Sequence, residues 1–165
     1  MSKRVIPVLL GRPQFLSGEL AALAAKQGDF AAWQQLITTS GWDAVKSVAG
    51  DFAVGFHDAA GRAFLAVDRF AIRSLCYRVD GGQLRFAARA DELADESTEI
   101  DPQAIFDYLY FHIIPSPRTI FKEIYRLPPG HYAIFENGEI KVLPYWVAEF
   151  VEQPNPSFEE LRTEF

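Results

Sequence analysis

The sequence predicts an α+β domain in which antiparallel strands pack against helices, and three observations favour this class. Short apolar segments with a period of two fill the middle of the chain, as is typical of strands. Asp-Gly and Asn-Gly dipeptides separate pairs of these segments, as in hairpins. Amphipathic helical segments come before and after the hairpins. The 165 residues, of which 49% are hydrophobic, suffice for one sizeable core.

The first part of the chain predicts one strand followed by three helices. The strand covers residues 5–10, and the helices lie near residues 17–27, 30–39 and 42–48. Asp29 directly precedes the second of these helices. Because aspartate is a preferred N-cap residue, a capping role is one explanation for this side chain.

Two hairpins follow in the middle of the chain. Large residues at Phe52, Val54 and Phe56 alternate with small ones, and Ala63–Val67 forms the return strand. That return strand is wholly apolar, so we expect both of its faces to be covered. A second hairpin joins residues 75–79 and 84–88 through an Asp-Gly-Gly turn. Two successive hairpins imply an antiparallel sheet.

The last part predicts a helix over residues 102–112 and a third hairpin. The hairpin strands are residues 132–135 and 140–143, and Asn137-Gly138 is expected to form a type I′ turn between them. We assign residues 1–150 to one domain and residues 151–165 to a linker and the start of a further helix. In that helix Ser157 is the expected N-cap and Glu160 completes a capping box.

Composition and charge narrow the class of protein. The net charge is −6 and there is no basic run, which argues against a nucleic acid or an anionic membrane as partner. No stretch is apolar for long enough to span a bilayer, and the first residues lack a secretory signal, so we expect a cytoplasmic location. The single cysteine excludes an internal disulfide and a cysteine cluster for zinc. The three histidines have no metal-ligand spacing, so no metal site is predicted.

A set of residues between Gly50 and Leu93 follows the spacing G-x-F-A-x-x-x-x-D, then D-R-x-G-I-x-P-L-Y-Y, then F-A-S-E. The matching positions are Gly50, Phe52, Ala53, Asp58, Asp68, Arg69, Ile72, Leu75, Tyr77, Phe86 and Ala87. The departures are Ala71, Ser74, Cys76 and Arg89. Farther along, Leu127-Pro-Pro-Gly-His131 and Tyr145-Trp146 fall in the same order. On these residues the chain resembles the glutaminase domain of class II glutamine amidotransferases, most closely the asparagine synthetase group.

The resemblance implies a fold, an activity and partners. The fold is a partial Ntn-hydrolase-like α/β/β/α sandwich, because the early strands of that fold are missing from this chain. The activity is ATP-dependent amide formation, in which a carboxylate is adenylated and joined to a nitrogen nucleophile, as in asparagine biosynthesis. ATP and magnesium are implied only for a synthetase domain, whose Ser-Gly-Gly-x-Asp-Ser loop does not occur here. The implied partners are a synthetase domain or subunit and glutamine or another amino acid, and a homodimer stays open.

The nucleophile of the resembled family is absent. The family uses a cysteine directly after the initiator methionine, with its own α-amino group as the base. This chain has Ser2 there, which is either a substitute nucleophile or an ordinary chain start. Cys76 lies in an apolar strand, where a small buried residue is expected rather than a reactive thiol. We therefore predict no catalytic residue in this chain.

Three residues are candidates for glutamine binding by resemblance. Asp29 aligns with the aspartate that holds the α-amino group of glutamine. Gly11 and Arg12 occupy the place of the family's N-G-E segment, and an arginine fork could bind a carboxylate. The alternative for Gly11 and Arg12 is an ordinary loop between a strand and a helix. A later Asn137-Gly138-Glu139 also reads N-G-E, but a hairpin turn is expected at that point.

Two functions from different classes are compatible with these observations. One is the N-terminal domain of an amide-forming enzyme that does not hydrolyse glutamine itself, with β-lactam synthetases and lasso-peptide cyclases as relatives that take other nitrogen nucleophiles. The other is a non-catalytic scaffold or regulatory module that docks on a synthetase partner. Trp42, Tyr110 and Trp146 would supply such a docking surface if they are exposed, although core positions are the other interpretation.

Overall fold

The computed structural model describes residues 7–58, 60–150 and 157–164, which form eight strands and four α-helices. The strands are β1 Val8–Phe15, β2 Val48–His57, β3 Ala63–Val67, β4 Cys76–Asp80, β5 Gln83–Ala87, β6 Tyr125–Arg126, β7 His131–Glu136 and β8 Glu139–Pro144. The helices are α1 Gly18–Gln27, α2 Asp29–Ser40, α3 Pro102–Phe111 and α4 Phe158–Glu164, with short 3₁₀ helices at Trp42–Ser47 and Ala90–Glu92.

The strands form two antiparallel sheets. The larger sheet has the order β1-β2-β3-β7-β8, and the smaller one has the order β5-β4-β6. The β2–β3 and β4–β5 hairpins belong to different sheets, and both are antiparallel as predicted. The α+β class with antiparallel sheets and packed helices is confirmed.

Helices cover one face of the larger sheet. The indole of Trp33 in α2 lies at its centre, with ring centroids 5.4 Å from Phe15, 5.2 Å from Phe52 and 6.2 Å from Phe64. Trp33 is 1% exposed, and its neighbours come from three strands and the following 3₁₀ helix. This layer fixes α2, and with it Asp29, against β1 and β2.

The two sheets bury their other faces against each other. Leu65 and Val67 of β3 share a cluster of buried side chains with Leu84 and Phe86 of β5. Every residue of β3 is buried, which confirms the prediction that both of its faces are covered. A third cluster on the outer face of the smaller sheet includes Cys76. The helix, sheet and sheet layers are the part of the sandwich that this chain forms.

The first strand differs from its prediction. It was expected at residues 5–10, of which residues 5 and 6 lie outside the described residues, and it continues to Phe15. Gly11 and Arg12 therefore lie within β1, and the prediction of a loop there is wrong. Pro13 is tolerated because β1 is an edge strand with one unpaired side. Gly11 has φ +85°, and a side chain there would collide with the carbonyl oxygen of Asp51 on β2.

The turns and caps predicted downstream are confirmed. Asn137 and Gly138 have φ values of 54° and 81°, as a type I′ turn requires, so this N-G-E segment is a hairpin turn. The Ser157 amide donates to the Glu160 carboxylate at 2.7 Å, and the Glu160 amide donates to the Ser157 hydroxyl at 3.2 Å. The strand β6 was not predicted, since two residues carry no periodic signal. No helix in the described ranges is both long and apolar enough to cross a membrane.

Candidate functional site

A small pocket lies between the edge strand β1 and the start of α2. Gly11 and Asp29, two of the three residues predicted to bind glutamine, both line it. Trp33 and Ala53 close it from α2 and β2, and the rest of the lining is Leu9, Leu10 and Pro13. The pocket has a volume of about 40 Å³. That space is enough for a few water molecules, at roughly 10–15 Å³ each on this measure, and is too small for a whole amino acid.

Asp29 does not cap α2. The N-cap is Gly28, whose φ of 89° favours glycine, and Asp29 is the first helical residue. The capping explanation for Asp29 is therefore wrong. Within the described part of the chain the Asp29 carboxylate accepts no hydrogen bond and forms no ion pair, and it lies half-buried at the pocket. A carboxylate in this position is suited to bind a cation or an amino group.

Arg12 is separated from this pair. It lies opposite Asp51 in the β1–β2 register, is exposed, and is not part of the pocket lining. The Asp51 carboxylate instead accepts a hydrogen bond from the guanidinium of Arg73 at 2.9 Å, which lowers the pKa of Asp51. The structure thus brings Gly11 and Asp29 together and leaves Arg12 outside.

The described lining of the pocket lacks the nucleophiles that are usual in amide hydrolysis. Among the described residues that line it there is no hydroxyl, thiol or primary amine. Cys76 lies in the smaller sheet, is 3% exposed, and belongs to the cluster on that sheet's outer face. Burial raises the pKa of the Cys76 thiol, which keeps it protonated and unreactive at neutral pH. The prediction that Cys76 is a small buried residue is confirmed, and Ser2 lies outside the described residues.

A second cleft of about 160 Å³ lies at the start of β2. Asp68 is on its lining and is 2% exposed. Its carboxylate accepts hydrogen bonds from the backbone amides of Phe70 at 2.9 Å, Ile72 at 3.2 Å and Phe52 at 3.2 Å. These bonds fold the loop after β3, so the Asp-Arg signature at this point has a structural role. The sequence analysis noted Asp68 only as a matching position. Its partners Phe70 and Ile72 are local, so an Asp-based turn was a signal within reach, whereas the bond from Phe52 depends on the tertiary fold.

Tyr145 closes this second cleft. Its hydroxyl donates to the carbonyl oxygen of Val67 at 2.8 Å, and burial raises the pKa of that hydroxyl. The side chain therefore stays protonated and holds the segment after β8 against β3. No general base or nucleophile follows from this arrangement.

The histidines and the predicted aromatic surface have separate places in the fold. The His57 ring stacks on Phe86 at 5.3 Å, and burial lowers the pKa of His57. In the described ranges no three His, Cys, Asp or Glu side chains meet as a metal site. Trp42 packs on Phe64 with ring centroids 5.6 Å apart, whereas Tyr110 is 70% exposed, so the core interpretation is wrong for Tyr110.

Comparison with known sequences identifies the family of the chain. The glutamine amidotransferase domain family matches residues 22–146, which is most of the chain. Asparagine synthetase [glutamine-hydrolyzing] 1 of Bacillus subtilis (strain 168) is 32% identical over 88 residues, which cover 52% of this chain and 14% of that protein.

Two solved structures are similar at 13% identity. One is the glutamine phosphoribosylpyrophosphate amidotransferase from B. subtilis complexed with ADP and GMP, with a TM-score of 0.49, covering 86% of this chain and 30% of that chain. The other is described as the allosteric regulatory enzyme of purine biosynthesis, with a TM-score of 0.48, covering 86% and 29% respectively. From the extent of the family match, the chain belongs to the glutamine amidotransferase domain family.

Proposed function

We propose that this chain is the glutaminase-like N-terminal domain of an asparagine-synthetase-type, ATP-dependent amide-forming enzyme, and that the domain does not hydrolyse glutamine. One observation carries the proposal: the pocket that holds Gly11 and Asp29 has no nucleophile on its described lining. Glutamine hydrolysis in this family needs a nucleophile beside the bound amide. The relationship to a glutamine-hydrolysing asparagine synthetase supports the choice of enzyme type.

The remains of the glutamine site support the loss of activity. Asp29 keeps a carboxylate that has no partner among the described residues, and Gly11 lines the same pocket. The pocket volume of about 40 Å³ leaves no space for the whole substrate. The glutamine-binding roles of Gly11, Asp29 and Arg12 stay predictions, and the shared pocket favours the first two.

A domain without glutaminase activity changes the source of nitrogen. In the proposed reaction the substrate carboxylate attacks the α-phosphorus of ATP and releases pyrophosphate. Ammonia, or an amine on the substrate itself, then attacks the acyl carbon, AMP leaves, and the nitrogen loses a proton. The ATP and magnesium sites are assigned to the synthetase domain and not to any residue described here. The proposal includes a cytoplasmic location, where ATP is available.

The test measures glutamate release and amide synthesis separately. We expect the purified chain to release no glutamate from glutamine above the uncatalysed rate. We expect the complete enzyme to form AMP when ammonium or an amine substrate is supplied. Adding glutamine to the amine substrate should not increase the amount of AMP formed. Glutamate release that is abolished by Ser2→Ala or Cys76→Ala would overturn the proposal. Ser40→Ala serves as a matched surface control, since Ser40 is exposed at the end of α2 and lines neither of the two clefts described above.

A second candidate function is a non-catalytic docking module for a synthetase partner. The observation that favours it is the exposed apolar side of α3, where Phe106, Leu109 and Tyr110 are between 59% and 70% exposed. The two candidates separate in an assay of the synthetase with and without this chain. Unchanged amide synthesis without the chain would favour a scaffold, whereas loss of synthesis would favour an integral domain of the enzyme.

A further inference from the structure

The cleft at the start of β2 has mainly apolar walls. Its volume is about 160 Å³. The apolar residues on its lining come from β2, from the loop after β3 and from the segment after β8, and they are Val48, Ala49, Phe52, Phe70, Ile72 and Tyr145. Phe70 is 70% exposed and Ile72 is 64% exposed, so both present apolar surface to solvent. Apolar and aromatic side chains around a concave surface are the usual walls of a small-molecule site.

Hydrogen bonds and ring packing fix the walls of this cleft. The Asp68 carboxylate accepts hydrogen bonds from four backbone amides and so holds the loop after β3. The carbonyl oxygen of Gly130 accepts from the amides of Tyr145 at 2.8 Å and Trp146 at 3.1 Å. The Trp146 ring packs edge to face on Phe70, with centroids 5.3 Å apart. Because these walls are already in place, a ligand would have little of the chain to order on binding.

Arg69 is a charged residue at the cleft that the fold does not use. It lines the cleft, is exposed, and has no hydrogen bond or ion pair from its guanidinium to any described residue. Arg73 on the same loop differs, since it forms an ion pair with Asp51 at 2.9 Å. The Arg69 charge lies close to the cleft wall, because it opposes the effects of burial and of Asp68, which raise the pKa of Tyr145. An arginine with unused donors is available to a ligand.

The two charges at the cleft differ in what they can still bind. Each carboxylate oxygen of Asp68 already accepts two amide hydrogen bonds, so this group has no lone pair left for a ligand cation. The guanidinium of Arg69 offers a fork that matches a carboxylate. One arginine compensates one negative charge, whereas a phosphate dianion would bring excess charge close to Asp68. The cleft therefore favours a monoanion with an apolar body.

We propose that this cleft binds a small apolar monocarboxylate, with the carboxylate on the guanidinium of Arg69 and the apolar tail against Phe70 and Ile72. At roughly 10–15 Å³ for each water molecule, a cleft of 160 Å³ has room for a single ring or one branched chain. The site is separate from the pocket of Gly11 and Asp29. Its failure would therefore leave the proposed function unchanged.

The test titrates the full chain, labelled with ¹⁵N, with phenylacetate and follows the backbone amides by NMR. Phenylacetamide has the same ring with a neutral group in place of the carboxylate, and phenethylamine carries the opposite charge. We expect phenylacetate to shift the amides of Gly50, Phe70 and Ile72 with a Kd in the low millimolar range, because it places only about ten non-hydrogen atoms on an open cleft. Phenylacetamide should bind about fivefold more weakly, and phenethylamine should give no saturable shift.

Two variants separate the charge from the apolar wall. Arg69→Gln should weaken phenylacetate binding about fivefold and leave phenylacetamide binding unchanged. Ile72→Ser should weaken the binding of both ligands by the same factor, because it removes apolar surface from the wall. Arg85→Gln is the matched control, since Arg85 is exposed, lines neither cleft and forms no ion pair with a described residue. This control should bind phenylacetate as the unchanged chain does.

Several results would overturn the assignment. The absence of a saturable shift with phenylacetate, or shifts confined to residues outside the cleft, would show that no such site exists. Equal binding of phenylacetate and phenylacetamide, or full binding by the Arg69→Gln variant, would show that Arg69 does not hold a carboxylate. Glutamate release from glutamine would contradict the proposed function and would leave this site as it stands.

Discussion

The helices α2 and α3 have similar lengths but opposite orientations, although α3 is the more apolar of the two. In α2 the side chains of Ala32, Trp33, Leu36 and Ile37 are buried against the larger sheet. In α3 only Ala104 and Asp107 are buried, and the large apolar residues face water. Burial of apolar area therefore holds α2 in place, whereas a cap and an ion pair hold α3.

This difference teaches that an amphipathic pattern does not by itself say which side of a helix is inside. In α2 the aromatic stripe meets rings from neighbouring strands, so hydrophobic burial sets the orientation. In α3 the polar residues have partners within the domain, through Arg118, whereas the large apolar residues belong to none of the buried clusters found among the described residues. A helix oriented in this way is stable in the domain and still available to a partner.

The largest expected effect tests the buried side of the comparison. We expect Trp33→Ala to lower the free energy of unfolding by about 3–5 kcal/mol, because it removes a fully buried indole and leaves a cavity among three rings. Urea denaturation followed by circular dichroism gives the value. Tyr110→Ala on α3 is the control, with an expected loss below about 1 kcal/mol. Similar losses for both variants would contradict the assignment of Trp33 to the core and Tyr110 to the surface.

Much of the fold could be predicted from the sequence because local signals carry it. The strand at Ala63–Val67 and the Asn137-Gly138 turn follow from apolar periodicity and positive φ preferences within a few residues. The separation of the β2–β3 and β4–β5 hairpins into two sheets depends on contacts between distant residues. The length of β1 depends on its partner strand. Gly11 and Pro13 are typical of a loop, and it is the pairing of this segment with β2 that makes both residues part of an edge strand.

The candidate site was predictable only in part. The resemblance pointed to Asp29 and Gly11, which do share a pocket, whereas sequence reasoning alone favoured a capping role for Asp29. That role is wrong because Gly28, with a φ that favours glycine, takes the cap position, and the helix begins one residue earlier than a cap at Asp29 would require. The exposure of Tyr110 could not be predicted, because the orientation of α3 depends on the ion pair that Asp107 forms with Arg118, farther along the chain.

A smaller effect tests the polar side of the comparison. We expect Asp107→Ala to lower the free energy of unfolding by about 1–2 kcal/mol, because Gln103 and Arg118 lose a charged hydrogen-bond acceptor. Arg118 is 43% exposed, so solvent screens the ion pair and keeps the loss at this level. Hydrogen exchange should become faster in residues 102–111 than elsewhere.

The control for that variant is an exposed ion pair of similar length. Arg162 and Glu159 on α4 are 2.9 Å apart, with side chains that are 69% and 68% exposed. Arg162→Ala should change the free energy of unfolding by less than about 0.5 kcal/mol. An equally small change for Asp107→Ala would mean that the inward polar contacts do not hold α3 in place.

The smallest effect tests the exposed side of α3. We expect the double variant Leu109→Gln and Tyr110→Gln to change the free energy of unfolding by less than about 0.5 kcal/mol, because both side chains are 70% exposed and glutamine is a good helix former. Urea denaturation measures the stability. A loss above about 1 kcal/mol would show that these side chains pack on the domain itself. In that case the outer side of α3 would be part of the core, and the contrast with α2 would disappear.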